Sequence, residues 1–234
     1  MINYTARAFF LMAIVFLNND PSYGQVKIDT IVLQKGEVLD LLLLSQNPGV
    51  EADLKSYFRT ALPVAKRMSY QALPGFKTIG HTRGNLSPSR LLLGKWNSLS
   101  SRENFIAHIG TEVPDFDQRR RTIWSFFGMR YYEMKEDLSF NIDREKYHVG
   151  TAYWIDQDHE SKAYYKIWKA QVKTTGGQII IQLENGKSPS GYVYNPDLFV
   201  ITSWQNERAF ELFQKEIEAM KPNGVHKVNE FVLK

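Results

Sequence analysis

The sequence predicts an α+β chain built from two tandem ferredoxin-like (βαββαβ) repeats packed sheet to sheet. One phrase occurs twice: LLLGKWNSLSSRENFIAHI at 91–109 and LFVITSWQNERAFELFQKEI at 198–217. Each copy is an apolar run closed by a tryptophan, then a polar turn, then a helical pattern opening on Phe. Extended and helical periodicities also alternate in the same order in both halves. Cysteine is absent, so no disulfide helps, and packing alone must hold the fold.

Taken in order, GEVLDLLLLSQ (36–46) is a continuous apolar run followed by Asn47-Pro48-Gly49, a buried strand with its turn. Leu54, Phe58, Ala61, Ala65 and Met68 then recur at three and four, one face of a helix that Pro63 should kink. Pro74-Gly75 starts an extended piece, FKTIGHT, which a polar loop turns into LLLGKW. Phe105, Ile106 and Ile109 mark a helix, a second helical piece covers 116–123, and MRYYEM closes the unit.

In the second half YHVGTAYWI (147–155) is a strand, and Tyr164, Ile167, Trp168 and Val172 mark a helix face that stops at Gly176-Gly177. QIIIQLE follows, then a Gly/Pro/Asn/Ser-rich loop (185–197), the strand LFVITSW, a helix through Ala209, Phe210, Phe213 and Ile217, and the last strand from Val225. Each half therefore reads β-α-β-β-α-β. The offset of about 108 residues, from Trp96 to Trp204, is that of a duplicated domain and not of a solenoid. Two four-stranded sheets with helices on one face each leave a second face to bury, and facing them together buries both.

The N-terminus reads as a secretory signal peptide: Arg7, an apolar stretch from Ala8 to Leu17, and small residues before a cut after Gly24. The apolar stretch is about ten residues, short of the roughly 20 that span a bilayer. The expected organisation is a signal peptide (1–24), an N-terminal segment (25–35), a first repeat (36–135), a linker (136–146) and a second repeat (147–234). The protein is thus expected to be periplasmic or secreted, with no stable membrane span. Loss of Arg7 and Asp20 leaves the net charge at +4. Charges are interspersed except for Arg119-Arg120-Arg121, which reads as a solvated helix end, so nucleic acid is not an expected partner.

No HxH or HExxH pair offers a metal site, and GxSxG, GxGxxG and P-loop patterns are missing. Abundant tyrosine and tryptophan suit a flat pocket for a planar ligand, and equally a packed core. Trp96 and Trp204 read most simply as core plugs.

A strand ending in Trp, a polar turn, then Arg-Glu-x-Phe or Arg-Ala-Phe on an amphipathic helix resembles the dimeric α+β barrel superfamily. KWNSLSSREN (95–104) is similar to the NIPSNAP-like phrase and TSWQNERAF (202–210) to that of the antibiotic-biosynthesis monooxygenases. The resemblance implies a barrel formed by two paired sheets, here within one chain as a pseudo-dimer that could pair further as a homodimer. It also implies a cavity between each sheet and its helices. Haem-degrading members use an Asn in the first strand and a Trp and a His on the second helix. Here those positions read Asp40 and Leu41 (or Thr151 and Ala152), His108 (or Phe213), and a place near Arg120. No cofactor is therefore expected; haem binding without degradation stays open.

The resulting expectation is an exported protein that binds, or oxidises in the manner of a monooxygenase, a small apolar or aromatic molecule. His81, Trp96, His108, Tyr132 and Trp204 are the expected lining. The alternative is a non-catalytic interaction or stress-related scaffold module of the same fold.

Overall fold

The computed structural model describes residues 27–156, 159–189, 192, 194–220 and 224–234, and the side chains of 159–161 lie outside that description. The first unit runs β2 (Val38–Gln46), α1 (Glu51–Arg67), β3 (Gln71–Arg83), β4 (Arg90–Trp96), α2 (Leu99–Glu112) with α3 (Phe116–Ile123), and β5 (Trp124–Glu133). The second runs β7 (Tyr147–Ile155), α4 (His159–Thr174), β8 (Gln178–Glu184), β9 (Leu198–Trp204), α5 (Glu207–Glu218) and β10 (Val225–Leu233). This is the mixed architecture that the two periodicities imply. Among the described residues no helix is long and apolar enough to cross a membrane.

All eight of these strands form one sheet in the order β5-β2-β4-β3-β10-β7-β9-β8. The two units therefore join edge to edge through β3 and β10, and the sheet curls so that one face of both units encloses a common core. Leu41, Leu43, Leu91, Phe199, Ile201 and Phe231 are among the side chains that fill it. The strand runs are continuously apolar because both sheet faces are covered, one by the other unit and one by helices.

The repeated phrase has a direct structural meaning. Trp96 and Trp204 end β4 and β9, and two residues later Ser98 and Asn206 cap α2 and α5. Each side chain accepts a hydrogen bond from the backbone N–H three residues on, at 3.1 Å. Phe105 and Ile109 on α2, like Phe213 and Ile217 on α5, turn into their sheets.

Three features differ from the periodicity reading. β3 starts at Gln71, before Pro74-Gly75, and these two residues sit in a register shift between Leu73 and Phe76, where proline loses no ladder bond. α1 continues through Pro63 to Arg67. The N-terminal segment and the connection between units are not passive: β1 (Ile28–Leu33) and β6 (Leu138–Asp143) pair antiparallel as a separate ribbon. Its inner side chains Ile31, Leu33, Phe140 and Ile142 enter the common core, while Ile28 and Val32 remain half-exposed at 53% and 52%. Arg144 anchors it, pairing with Asp29 at 2.7 Å and donating to the Gly75 carbonyl at 2.9 Å.

If the ribbon is part of the core, Ile142→Ala should cost about 2–5 kcal/mol, whereas Ile28→Ala should stay within about 0.5 kcal/mol. Chemical denaturation of the two variants checks this; equal small effects would show a dispensable ribbon.

Candidate functional site

The common core is packed with side chains, so polar chemistry is found in the layers between each sheet and its helices. Register makes these layers comparable. Val38 pairs with Trp96 and Tyr147 with Trp204, so Asp40 of β2 and Val149 of β7 occupy the same place.

In the first unit Asp40 is 4% exposed. Its carboxylate accepts from Arg102 Nε at 2.7 Å and from the Trp96 indole N–H at 2.8 Å. The Arg102 guanidinium lies 3.6 Å above the Tyr131 ring and donates to Met129 Sδ. Burial pushes the Asp40 carboxyl above its ordinary range, and the adjoining Arg102 pulls it back. In the second unit the equivalent pair is apolar, Val149 and Phe210, both buried in the aromatic cluster of that layer.

The second unit carries its own buried acid elsewhere. Glu230 of β10 pairs with Thr151, a place held in the first unit by Met129, which pairs with Leu42. Glu230 is 2% exposed and accepts from Thr82 at 2.7 Å, Gln214 at 3.0 Å and Thr151 at 3.3 Å. Burial holds its carboxyl above the ordinary range against these three donors and the nearby Arg83. The Tyr153 hydroxyl, in the field of Glu230 and Arg83, is pushed up by burial. It and the Trp168 indole N–H have no hydrogen-bond partner among the described residues. Arg83, Phe213, Gln214, Ile217 and Glu218 close over Glu230 from outside and leave no space for a water molecule between them. A buried acid beside unpartnered donors is equipped to hold or move one proton.

The five expected lining residues do not converge on one cavity. Trp96 is in the first helix–sheet layer on Asp40. Trp204 is in the second, donating to Thr202 Oγ1 at 3.0 Å. Tyr132 is inside the common core. His81 is exposed on β3. His108 is exposed on α2, its Nδ1 2.8 Å from the Asn104 carbonyl, beside an open groove of about 340 Å³ with Met68 and Ser101.

Among the described residues no imidazole is placed in a helix–sheet layer where it could meet a haem. The described imidazoles are exposed (His81, His108), paired with Asp156 at the surface (His226), or bonded to the Asp143 carbonyl at 2.7 Å (His148). Both helix–sheet layers are filled by rings. Among the described residues no group of three His, Asp or Glu side chains could hold a metal.

Asp40, Arg102 and Glu230 were not among the expected lining residues. A charge in the middle of an apolar strand run, as in VLDLLLL or VNEFVL, was the available signal; the partner that makes it tolerable is remote in sequence.

No family model matches the sequence, and no curated protein is similar to it in sequence. A solved structure shares its fold. A chlorite dismutase from Candidatus Nitrospira defluvii in complex with imidazole superposes with a TM-score of 0.50 at 8% identity, covering 86% of this chain and 92% of that one. A candidate monooxygenase from Fusobacterium nucleatum gives 0.43 at 12% identity, covering 86% and 93%. The likeness is one of fold, the dimeric α+β barrel, and the chemistry rests on the residues described above.

The two buried acids should respond oppositely to amidation. The folded chain binds the Glu230 proton more tightly than the unfolded chain, whose carboxyl titrates near 4.5. Stability is therefore lost as pH rises through that window, and Glu230→Gln should flatten the loss. Asp40→Asn instead strands the Arg102 guanidinium and should cost about 3–5 kcal/mol. Denaturation midpoints between about pH 4 and 8 check both; an unchanged slope in the Glu230 variant would contradict the assignment.

Proposed function

We propose that this is an exported protein that binds a small apolar or aromatic molecule in the second helix–sheet layer, beside Glu230. The observation that carries the reading is a buried carboxyl, Glu230, in an aromatic layer whose Phe213, Gln214 and Ile217 side chains must part to admit a ligand. Around that carboxyl, buried donors lack partners. Burying polar groups without partners is expensive, and a ligand bearing acceptor atoms relieves that cost. A monooxygenase-like activity on a substrate reactive enough to meet dioxygen by itself would ask little more of the protein. It would need a water-poor site, an oriented ring and one proton accepted by Glu230.

Export rests on the Arg7, Ala8–Leu17 and Gly24 pattern, which lies outside the described residues. A duplication origin, and with it the NIPSNAP-like and monooxygenase-like phrases, is supported by the matching places of Trp96 and Trp204, Ser98 and Asn206, and Phe105 and Phe213. A homodimer remains part of the same proposal.

A second reading is favoured by the filled common core: an interaction module in which the barrel is a scaffold. Native mass spectrometry of protein recovered from the periplasm of an expression host separates the two. The binding reading expects a chain beginning at Gln25 with a reproducible added small-molecule mass, lost when Ile217→Trp blocks the way to Glu230. A clean mass in both proteins favours the scaffold; an N-terminus at Met1 in the recovered protein contradicts cleavage after Gly24, and failure to recover the chain from the periplasm contradicts export.

A further inference from the structure

The arginine triplet is not the solvated helix end that its sequence suggests. Arg121 is exposed, and Arg119 pairs with Asp115 at 2.7 Å and donates to Thr60. Arg120, between them, turns inward and is 8% exposed. Its guanidinium sits 4.0 Å over Phe127, 5.0 Å over Phe116 and 5.4 Å over Tyr192. Among the described residues it makes no ion pair, and its Nε–H has no hydrogen-bond partner. Asp117, one turn earlier, does not reach it within ion-pair distance, and Asp40 is already paired with Arg102. The layer thus holds two buried arginines and one buried carboxylate, an excess of one positive charge.

A second orphan stands next to it. Trp124, which follows α3, packs on Phe127 with ring centroids 6.3 Å apart, and its buried indole N–H also lacks a partner. Two donors without a partner, Arg120 Nε–H and the Trp124 indole N–H, therefore flank one aromatic ring, and the Tyr192 hydroxyl lies within reach of the same guanidinium. Rings attract a guanidinium but accept no hydrogen bond of comparable strength, and a buried donor left unmet is costly. The stack ends on Tyr192, which lies 5.2 Å from Phe127 at 30° and is only half-buried.

We infer that Arg120 and Trp124 form a binding site for the carboxylate of a small aromatic acid, whose ring joins the Phe127–Tyr192 stack. A single excess positive charge matches a monoanion, and the aromatic walls match a planar body. The site combines Arg120, Trp124 and Phe127 of the first unit with Tyr192 from the β8–β9 connection of the second, and stands apart from Glu230.

Thermal unfolding of the full chain with sodium benzoate at constant ionic strength tests the assignment, with inorganic phosphate as the second probe. Benzoate should raise the midpoint saturably, by about 3 °C at tenfold its dissociation constant, and phosphate should do so less. Arg120→Met should fold with a midpoint at or above that of the parent, because it removes an unpaired buried charge, and should lose the benzoate response. Trp124→Phe keeps the ring, removes the N–H and should weaken benzoate about fivefold; it carries the test if the Arg120 variant does not fold. No benzoate shift in the parent, an equal shift in Arg120→Met, an unweakened response in Trp124→Phe, or a response to phosphate alone would each overturn the proposal.

Discussion

Closure of the sheet is the constraint on which the rest of this structure depends. Eight strands in a row leave two open edges, and an exposed edge is a template for unwanted pairing. At the middle of the row the junction is generous: β3 is 13 residues long and lies beside β4 first and β10 afterwards. The outer edges meet by a different device. β8 ends at Glu184, and Asn185 adopts a left-handed backbone with φ 56°. Lys187 then exchanges two backbone hydrogen bonds with Tyr131 of β5, at 2.9 and 2.8 Å. Ser188 adds a bond to the Met129 carbonyl, and Arg130 ties the same strand to Asn195 and the Pro196 carbonyl. Gly186 is needed at this clip, since a Cβ there would come within 2.4 Å of the Tyr132 ring.

Closure fills the interior with apolar side chains, and the β1–β6 ribbon adds four more. What is left for chemistry are the two helix-side layers, and these have diverged from a shared plan. Where the first unit places a charged pair, Asp40 and Arg102, the second places Val149 and Phe210. Where the second places Glu230 and Thr151, the first places Met129 and Leu42. Each layer accommodates one buried acid at a position where the other is apolar. That is how one architecture repeated in a chain comes to offer two different environments.

The fold was readable because local pattern and tertiary burial agree along most of the chain. The Trp96 and Trp204 phrases state strand end, cap and helix face within twenty residues of sequence. The ribbon was hidden because Ile28–Leu33 and Leu138–Asp143 are short and become a pair only through contacts more than 100 residues apart. The site was less legible for the same reason. Histidines attract attention, yet those described are surface or backbone-bonded residues here. The acids that matter are buried, and their partners, Arg102 for Asp40 and Thr82 for Glu230, come from distant segments. Arg120 was concealed by its charged neighbours, since a helix turning one residue inward cannot be told from a solvated run without knowing what covers it.

Differential scanning calorimetry of the purified chain tests most directly whether the two units form one closed body. A barrel with a shared core predicts a single transition whose calorimetric and van't Hoff enthalpies agree. Two separable transitions, one for each unit, would contradict it, because units that unfold independently cannot share the core that closure creates.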